Sequence, residues 1–293
     1  MKDVKNVVIR DPENGSAARK PRPAGGDKER NKKQNASLPG SPALCTGSFT
    51  TGDAEIHAAG RFAIVIPVYN HAEGVLSVIE RARALCLPIW VIDDGSTDGT
   101  TACLKRIAGI TVLCHEKNLG KGAAILTGFS VLRGTADWAV TLDADGQHDP
   151  QDVPGLIRAI PQGLRPIVVG RREGMPGADV PWTSRFGRKF SNFWVRAAGG
   201  PVLSDTQSGM RVYPLPESFQ LGVKARRFQF EVEILVRARW KGIPVLEAPV
   251  GVSYTLGRGR VSHFRPFVDF CRNTGTFSRL IFLRIITGII RCS

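Results

Sequence analysis

The chain has 293 residues and a formal net charge of +14 at neutral pH, with its basic residues unevenly spread. No apolar segment follows the basic start and none reaches the length of a membrane span, so the composition predicts neither a secretory signal nor a transmembrane helix. The six cysteines lack Cys-x-x-Cys spacing, which suits reduced, mostly structural thiols in a cytosolic compartment.

Composition divides the chain into three parts. Residues 1–58 are rich in Lys, Arg, Pro, Gly and Ser and cannot bury enough apolar surface to offset the entropy of ordering, so we expect a disordered basic arm. Its charge would attract anionic lipid or nucleic acid, or the arm is simply a solvated tail. Residues 59–263 have the composition of one globular domain, and residues 264–293 are predicted to be a helical C-terminal segment.

Strands and helices are predicted to alternate through the first half of the domain. The first apolar run, Phe62–Val68, is typical of a strand buried on both faces of a parallel sheet. The alternation predicts an α/β fold with a doubly wound, mostly parallel sheet and a ligand site at the carboxyl ends of its strands. Further strands are predicted at 88–92, 110–114 and 138–142, and helical patterns with apolar stripes separate them, the last at 122–132.

The strict alternation ends after an apolar strand at 167–170. Helices are predicted at 182–198 and at about 228–240, followed by a late strand at 243–248, and we expect this half to build the acceptor side of the site. Apolar residues at helical spacing continue through 264–290, with arginines on the opposite side. This pattern favours an amphipathic helix lying in a membrane interface over a helix docked on the domain.

Asp143, Asp145 and Gln147 directly follow the fourth predicted strand. If the alternation of the strand continues, Asp143 and Asp145 point to the same side, and the turn begun by Gly146 brings Gln147 towards them. Mg²⁺ and Mn²⁺ favour such oxygen ligands and complete their coordination with water and substrate phosphates. The pattern therefore predicts a divalent-metal site for a diphosphate, although a plain strand-ending turn uses the same residue types.

Two other polar turns lie at predicted strand ends. Asp93 and Asp94 end the second strand, where the sheet presents groups to a ligand and a carboxylate can accept hydrogen bonds from a nucleobase or a ribose. Lys121 stands in a glycine-bearing turn before a helix, where it is either a loop residue or a phosphate contact.

Six motifs occur in order along the chain: Ile-Pro-Val-Tyr-Asn at 66–70, Asp-Asp-Gly-Ser at 93–96, Asn-Leu-Gly-Lys-Gly at 118–122, Asp-Ala-Asp-Gly-Gln-His at 143–148, Asp-Thr-Gln-Ser-Gly-Met-Arg at 205–211 and Phe-Gln-Phe-Glu-Val-Glu at 228–233. In this order and spacing they resemble family 2 glycosyltransferases, and most closely the dolichyl-phosphate mannose synthase-like, or polyprenyl-phosphate sugar transferase, branch. The resemblance covers roughly 61–265 and implies a single catalytic domain of the GT-A type. A Rossmann dehydrogenase is a weaker alternative, because no Gly-x-Gly-x-x-Gly follows the first strand.

The resemblance implies a role for each matched residue. Mg²⁺ or Mn²⁺ held by Asp143, Asp145 and Gln147 would neutralise the leaving nucleoside diphosphate while the acceptor attacks the anomeric carbon from the opposite face, which inverts that centre. The candidate catalytic residues are Asp145, Asp205 and Arg211. The candidate donor-binding residues are Pro67, Tyr69, Asp93, Asp94, Lys121, Asp143 and Arg171.

The expected acceptor is a lipid-linked phosphate, whose anionic oxygen requires no general base. Asp205 would serve as a base for a hydroxyl acceptor on a glycolipid, saccharide or polyene, or it would pair with Arg211, which we favour. Glu231 and Glu233 lie on a predicted helix, where either could be merely solvated.

Two positions depart from the branch. His71 stands where a Glu is common and His263 where a Lys is usual. Both changes weaken any transfer of donor or acceptor identity from the branch to this chain.

The leading hypothesis is a hexosyltransferase that uses a nucleotide sugar and works peripherally at the cytosolic face of an anionic membrane. Nucleic acid is not an expected partner of this enzyme. An alternative of another class is a non-catalytic module whose basic arm binds nucleic acid or membrane. The intact set of Asp143, Asp145 and Gln147 argues against that alternative.

Overall fold

The computed structural model describes Val8–Arg10 and residues 60–173, 182–252 and 266–286. Most of the predicted basic arm, residues 1–58, lies outside these ranges, as do His263 and the end of the C-terminal segment. The predicted domain boundaries therefore stay predictions.

Eight strands within the described residues form one sheet, in the order β1-β4-β3-β2-β5-β7-β6-β8. Six of them run in one direction, while β7 is antiparallel to β5 and β6, and β1 is antiparallel to β4. The mostly parallel sheet is thus confirmed. The strands are β1 Val8–Arg10, β2 Phe62–Val68, β3 Ile89–Asp93, β4 Thr111–Cys114, β5 Trp138–Thr141, β6 Ile167–Arg172, β7 Arg211–Pro214 and β8 Val245–Val250.

Helices cover both faces of this sheet. Along β2, Ile64 packs in a core that contains Val75 of the first helix, whereas Val65 packs in a second core that contains Phe129 of the third. Since neighbouring side chains of a strand point to opposite faces, the two cores lie on opposite sides of the sheet, as a doubly wound fold requires. The helices are α1 Ala72–Arg83, α2 Thr100–Leu104, α3 Lys121–Leu132, α4 Val153–Arg158, α5 Trp182–Ala197, α6 Glu217–Gln220, α7 Phe230–Trp240 and α8 Pro266–Ile286, with a 3₁₀ turn at Pro150–Asp152.

The C-terminal helix α8 is docked on the domain through apolar and ionic contacts. Phe277 and Leu280 join a small core with residues of α5 and α7. Beside this core, the fully buried Glu233 accepts a hydrogen bond from Arg237 at 2.6 Å and is also paired with Arg279. Arg284 donates to the carbonyl oxygen of Ala197 at 2.9 Å.

These contacts bear on two points that the sequence left open. Glu233, which could have been merely solvated, has a buried and doubly paired carboxylate. Docking on the domain was the less favoured alternative for the C-terminal helix, yet the guanidinium groups of Arg279 and Arg284 contact the protein. No helix in the described part of the chain is both long and apolar enough to cross a membrane.

The cysteines differ in state. Cys103 and Cys114 are reduced, whereas Cys86 is disulfide-bonded. The expectation of reduced thiols was therefore wrong for Cys86.

Candidate active site

Three neighbouring parallel strands, β3, β2 and β5, end at the same edge of the sheet. Asp93 is the last residue of β3, and Asp143 lies two residues after β5. Pro67 is buried within β2 opposite Ile92, and Tyr69 follows that strand half-buried. The fold thus brings the predicted donor-binding and metal-binding segments together.

Asp93 organises the turn that follows β3. It is fully buried, and its carboxylate accepts a hydrogen bond from the backbone N–H of Ser96 at 3.0 Å and another from the Thr101 hydroxyl. Its predicted contact with the nucleoside stays a prediction.

Asp94 connects the ends of β3 and β4. It is buried, with one carboxylate oxygen 2.7 Å from His115 Nδ1 and 2.9 Å from the backbone nitrogen of Leu119. The other oxygen accepts from the backbone N–H of Gly120 at 2.7 Å. Asp94 therefore fixes the turn that delivers Lys121 to the start of α3, and its predicted place near the ribose and diphosphate is not tested by these contacts.

Lys121 lies between two carboxylates. Its Nζ is 2.6 Å from Asp143 Oδ1 and is also paired with Glu231. Burial alone would lower the pKa of Lys121, but the two carboxylates outweigh burial and raise that pKa above its ordinary value. The Lys121 ammonium is therefore held charged in the middle of the site.

The two aspartates of the Asp-x-Asp pair have different electrostatic surroundings. Although Asp145 is exposed to solvent, partial desolvation by its neighbours raises its pKa, and the negative charge of Asp143 raises that pKa further; the backbone N–H of Gln147, which donates to Asp145 at 3.0 Å, opposes both effects. Burial also acts to raise the pKa of Asp143, but the Lys121 ammonium prevails and lowers it. The pair therefore combines one well-neutralised carboxylate with one that lacks a full counter-charge.

This donor set fits a divalent cation that is completed by substrate. Among the residues that the structure describes, no group of three or more His, Cys, Asp or Glu side chains is arranged to hold a metal. Two carboxylates and an amide nevertheless suit Mg²⁺ or Mn²⁺, since these ions keep several waters and take further oxygens from substrate phosphates. A cation would also offset the repulsion between Asp143 and Asp145 that raises the pKa of Asp145.

Gly209 fixes the position of Asp143 from the other side. Its carbonyl oxygen accepts a hydrogen bond from the Thr141 hydroxyl at 2.8 Å, and a Cβ atom built on Gly209 would fall on the Asp143 carboxylate. Only a glycine leaves room for that carboxylate.

We expect Gly209→Ala to weaken Mn²⁺ binding by at least about tenfold, because the new methyl group must push the Asp143 carboxylate aside. Electron paramagnetic resonance of free Mn²⁺ during a titration measures the effect. The matched control is Gly155→Ala on α4, where a Cβ atom meets nothing within 4 Å. Equal Mn²⁺ affinity of the two variants would contradict the role assigned to Gly209.

Asp205 pairs with Arg172, at 2.6 and 2.9 Å, rather than with Arg211. The predicted partner was therefore wrong. Asp205 is fully buried, and burial would raise its pKa, but the two hydrogen bonds and the charge of Arg172 prevail and lower it.

Arg211 is also fully buried, but its guanidinium faces main-chain oxygens. It donates to the carbonyl oxygens of Ser208 at 2.7 Å, Thr206 at 2.9 Å and Glu231 at 2.7 Å, and lies 3.4 Å from the Tyr213 hydroxyl. It thereby braces the loop that carries Gly209 against α7, and its predicted catalytic role stays a prediction.

The sequence analysis did not identify Arg172 or Gly209 as site residues, and it left the surroundings of Glu231 open. Arg171 is paired with Glu173 at 2.7 Å near the surface, and its donor-binding role stays a prediction, while the neighbouring Arg172 reaches Asp205. Strand alternation places these two arginines on opposite faces, a signal that could have identified Arg172. Gly209 carried no comparable signal. Glu231, which the sequence left open as a merely solvated residue, is buried and pairs with Lys121.

Comparison with known proteins agrees with this geometry. The protein-family profile described as "Glycosyl transferase family 2" matches residues 63–219. The chain is 29% identical over 214 residues to UDP-N-acetylglucosamine–dolichyl-phosphate N-acetylglucosaminyltransferase of Methanococcus voltae, which covers 66% of this chain and 85% of that protein. It is 31% identical over 211 residues to polyprenol monophosphomannose synthase of Mycolicibacterium smegmatis, covering 67% and 79%.

The fold also resembles solved structures. Glucosyl-3-phosphoglycerate synthase from Mycobacterium tuberculosis, solved with Mn²⁺, uridine diphosphate and glucosyl-3-phosphoglycerate, has a TM-score of 0.55 at 19% identity, with 87% of this chain and 89% of that chain covered. This likeness confirms a GT-A type fold. Since the family profile spans more than half of the 293 residues, the chain is a glycosyltransferase that belongs to glycosyl transferase family 2.

Proposed function

We propose that this glycosyltransferase moves a sugar from a nucleoside-diphosphate sugar to a polyprenyl-phosphate lipid. The main support for this proposal is the cluster of Lys121, Asp143 and Asp145 at the carboxyl edge of the sheet. The named relatives support the acceptor, since one acts on dolichyl phosphate and the other is a polyprenol monophosphomannose synthase.

On the donor side, Asp143, Asp145 and Gln147 would hold Mg²⁺ or Mn²⁺. When bound, the cation would offset negative charge on the leaving nucleoside diphosphate. Lys121 would add a positive charge beside the same phosphates. The nucleoside would bind at the ends of β2 and β3, where the candidate contacts are Pro67, Tyr69, Asp93 and Asp94, with Arg171 as a further candidate on β6.

On the acceptor side, a phosphate oxygen of the lipid would attack the anomeric carbon from the face opposite the diphosphate. The new carbon–oxygen bond forms as the bond to the diphosphate breaks, so a single displacement inverts the anomeric centre. No proton has to be removed, because the attacking oxygen is already anionic.

The environment of Asp205 favours this acceptor over a hydroxyl group. A hydroxyl acceptor needs a general base, yet both oxygens of Asp205 are engaged by Arg172 and its pKa is lowered. We assign Asp205 the role of positioning Arg172, whose location on β6 near the acceptor side suits contact with a phosphate.

Transfer assays with the purified full chain test the proposal. A panel of radiolabelled nucleotide sugars is incubated with a polyprenyl phosphate and Mn²⁺, and the product is extracted into organic solvent. We expect one donor to give a labelled lipid and a chelator to abolish its formation. Undiminished transfer with the chelator would refute the metal site, and transfer only to hydroxyl acceptors would refute the lipid phosphate.

The membrane contact is proposed to lie on α8 and α5. Phe282, Ile285 and Ile286 are 62%, 63% and 64% exposed, and Phe193 of α5 is 63% exposed. These apolar side chains would enter the interface of an anionic membrane at its cytosolic face, where the lipid acceptor resides.

Changing Phe282, Ile285 and Ile286 together to Ser is expected to reduce binding to vesicles of phosphatidylcholine and phosphatidylglycerol by at least about tenfold, since each side chain loses apolar area that the lipid would bury. Co-sedimentation measures the bound fraction. Leu164→Ser, at a residue 49% exposed in the loop before β6, is the control. Equal sedimentation of the triple variant and the control would overturn the proposed surface.

A further inference from the structure

Lys121 has two anionic partners that belong to different parts of the site. Asp143, 2.6 Å from Nζ, is one of the two carboxylates of the proposed metal site. Glu231 lies on α7, 110 residues further along the chain, and is not part of the Asp-x-Asp pair. A single ammonium group thus connects the metal site with a carboxylate outside it.

Asp143 is poorly placed to bind the Lys121 ammonium and a divalent cation at the same time. Gly209 lies directly against the Asp143 carboxylate and closes off movement in its direction. A divalent cation on the same carboxylate would repel the Lys121 ammonium, because both are positive and the side chains of Lys121 and Asp143 are only 16% and 25% exposed.

Glu231 offers the ammonium a second position. Its side chain is only 9% exposed, and its carbonyl oxygen is held by the buried Arg211 at 2.7 Å. The Glu231 carboxylate is therefore present and well positioned whether or not Asp143 is available. Lys121 can leave Asp143 without losing its counter-charge.

We propose that Lys121 is an exchangeable counter-ion, which neutralises Asp143 in the free enzyme and is held by Glu231 and the donor diphosphate, no longer by Asp143, once a divalent cation and the donor bind. This inference rests on the proposed function, because it takes Asp143 as a metal ligand. It adds a positioning role for Glu231 and a reason for metal and donor to bind together, since the diphosphate also attracts Lys121 away from Asp143.

The affinity for Mn²⁺ tests the exchange in the protein alone. Free Mn²⁺ is titrated by electron paramagnetic resonance with the full chain, with and without uridine or guanosine diphosphate as the probe. Lys121→Met should bind Mn²⁺ about tenfold more tightly than the wild type without nucleotide, and the gain in Mn²⁺ affinity on adding nucleotide should shrink by a similar factor. Lys121→Arg keeps the competing charge and should stay close to the wild type.

A second measurement does not depend on a variant that folds. In a crystal structure of the wild type with Mn²⁺ and a nucleoside diphosphate, the Lys121 ammonium should lie within hydrogen-bond distance of Glu231 and no longer contact Asp143. Persistence of the contact with Asp143, or unchanged Mn²⁺ affinity in Lys121→Met, would overturn the exchange alone. Failure of the wild type to bind Mn²⁺ even with nucleotide would instead overturn the proposed metal-dependent function.

Discussion

Replacing Asp145 by Asn is expected to lower kcat/KM for sugar transfer by about 10³-fold, or roughly 4 kcal/mol of transition-state stabilisation. The substitution keeps the shape of the side chain and removes its charge. Partial desolvation and the neighbouring Asp143 raise the pKa of the exposed Asp145, so its negative charge lacks a full counter-ion within the protein. A cation that depends on that charge would be lost or misplaced, and the leaving diphosphate would no longer be neutralised.

The rate is measured with saturating lipid phosphate and excess Mn²⁺, so that weakened metal affinity is distinguished from lost chemistry. Asp149→Asn is the matched control, because Asp149 lies just after the same turn but its side chain is 52% exposed and 3.8 Å from Arg81. That variant should retain activity within about twofold, as expected for an exposed ion pair. Full activity of Asp145→Asn would remove Asp145 from the metal site.

Arg211→Met is expected to destabilise the protein by about 3–5 kcal/mol, the cost of breaking a buried charged network. The variant fills similar volume but leaves the carbonyl oxygens of Ser208, Thr206 and Glu231 without their donor. Each buried carbonyl that loses its hydrogen bond carries a desolvation penalty of about 1–3 kcal/mol. The loss falls on the loop that positions Gly209 and on the start of α7.

The free energy of unfolding is obtained from urea denaturation followed by circular dichroism. Arg158→Met at the exposed end of α4 serves as the comparison and should change stability by no more than about 0.5 kcal/mol. If Arg211→Met unfolded at the same urea concentration as Arg158→Met, the bracing role of Arg211 would be untenable.

The chemistry at the carboxyl edge of the sheet was predictable from sequence because it depends on local order. Apolar runs located β2, β3 and β5, and parallel strands must end together, so Asp93 and Asp143 could be expected near one another. The family motifs then indicated which of the polar turns to propose as donor-binding.

The ion-pair partners of the site residues were not predictable, because they depend on side-chain direction and on contacts between distant segments. Asp205 was expected to pair with Arg211, six residues away, but selects Arg172 on β6. The ion pair between Glu231 and Lys121 cannot be read from local spacing, because the two residues are 110 positions apart in the sequence. The packing of α7 against α3 brings them together.

The burial of Glu231 and Glu233 illustrates the same difficulty. A carboxylate between apolar residues on a helix can mark a solvated face or a buried ion pair. On α7 nearly every residue from Phe230 to Ala238 is buried, so both carboxylates need cationic partners. Arg237 of the same helix supplies one partner of Glu233, whereas the partner of Glu231 and the second partner of Glu233 come from α3 and α8 and cannot be found in the sequence of α7.

Helix α7 also limits how freely the C-terminal segment can be exchanged. Glu231 pairs with Lys121 at the site, and two residues later Glu233 pairs with Arg279 of α8. A chimaera that replaces α8 with the corresponding segment of a relative must therefore supply an arginine at the position of Arg279, or it leaves a buried carboxylate short of one partner. For protein engineering, the catalytic domain and α8 therefore have to be exchanged together, because α7 makes ion pairs with both of them.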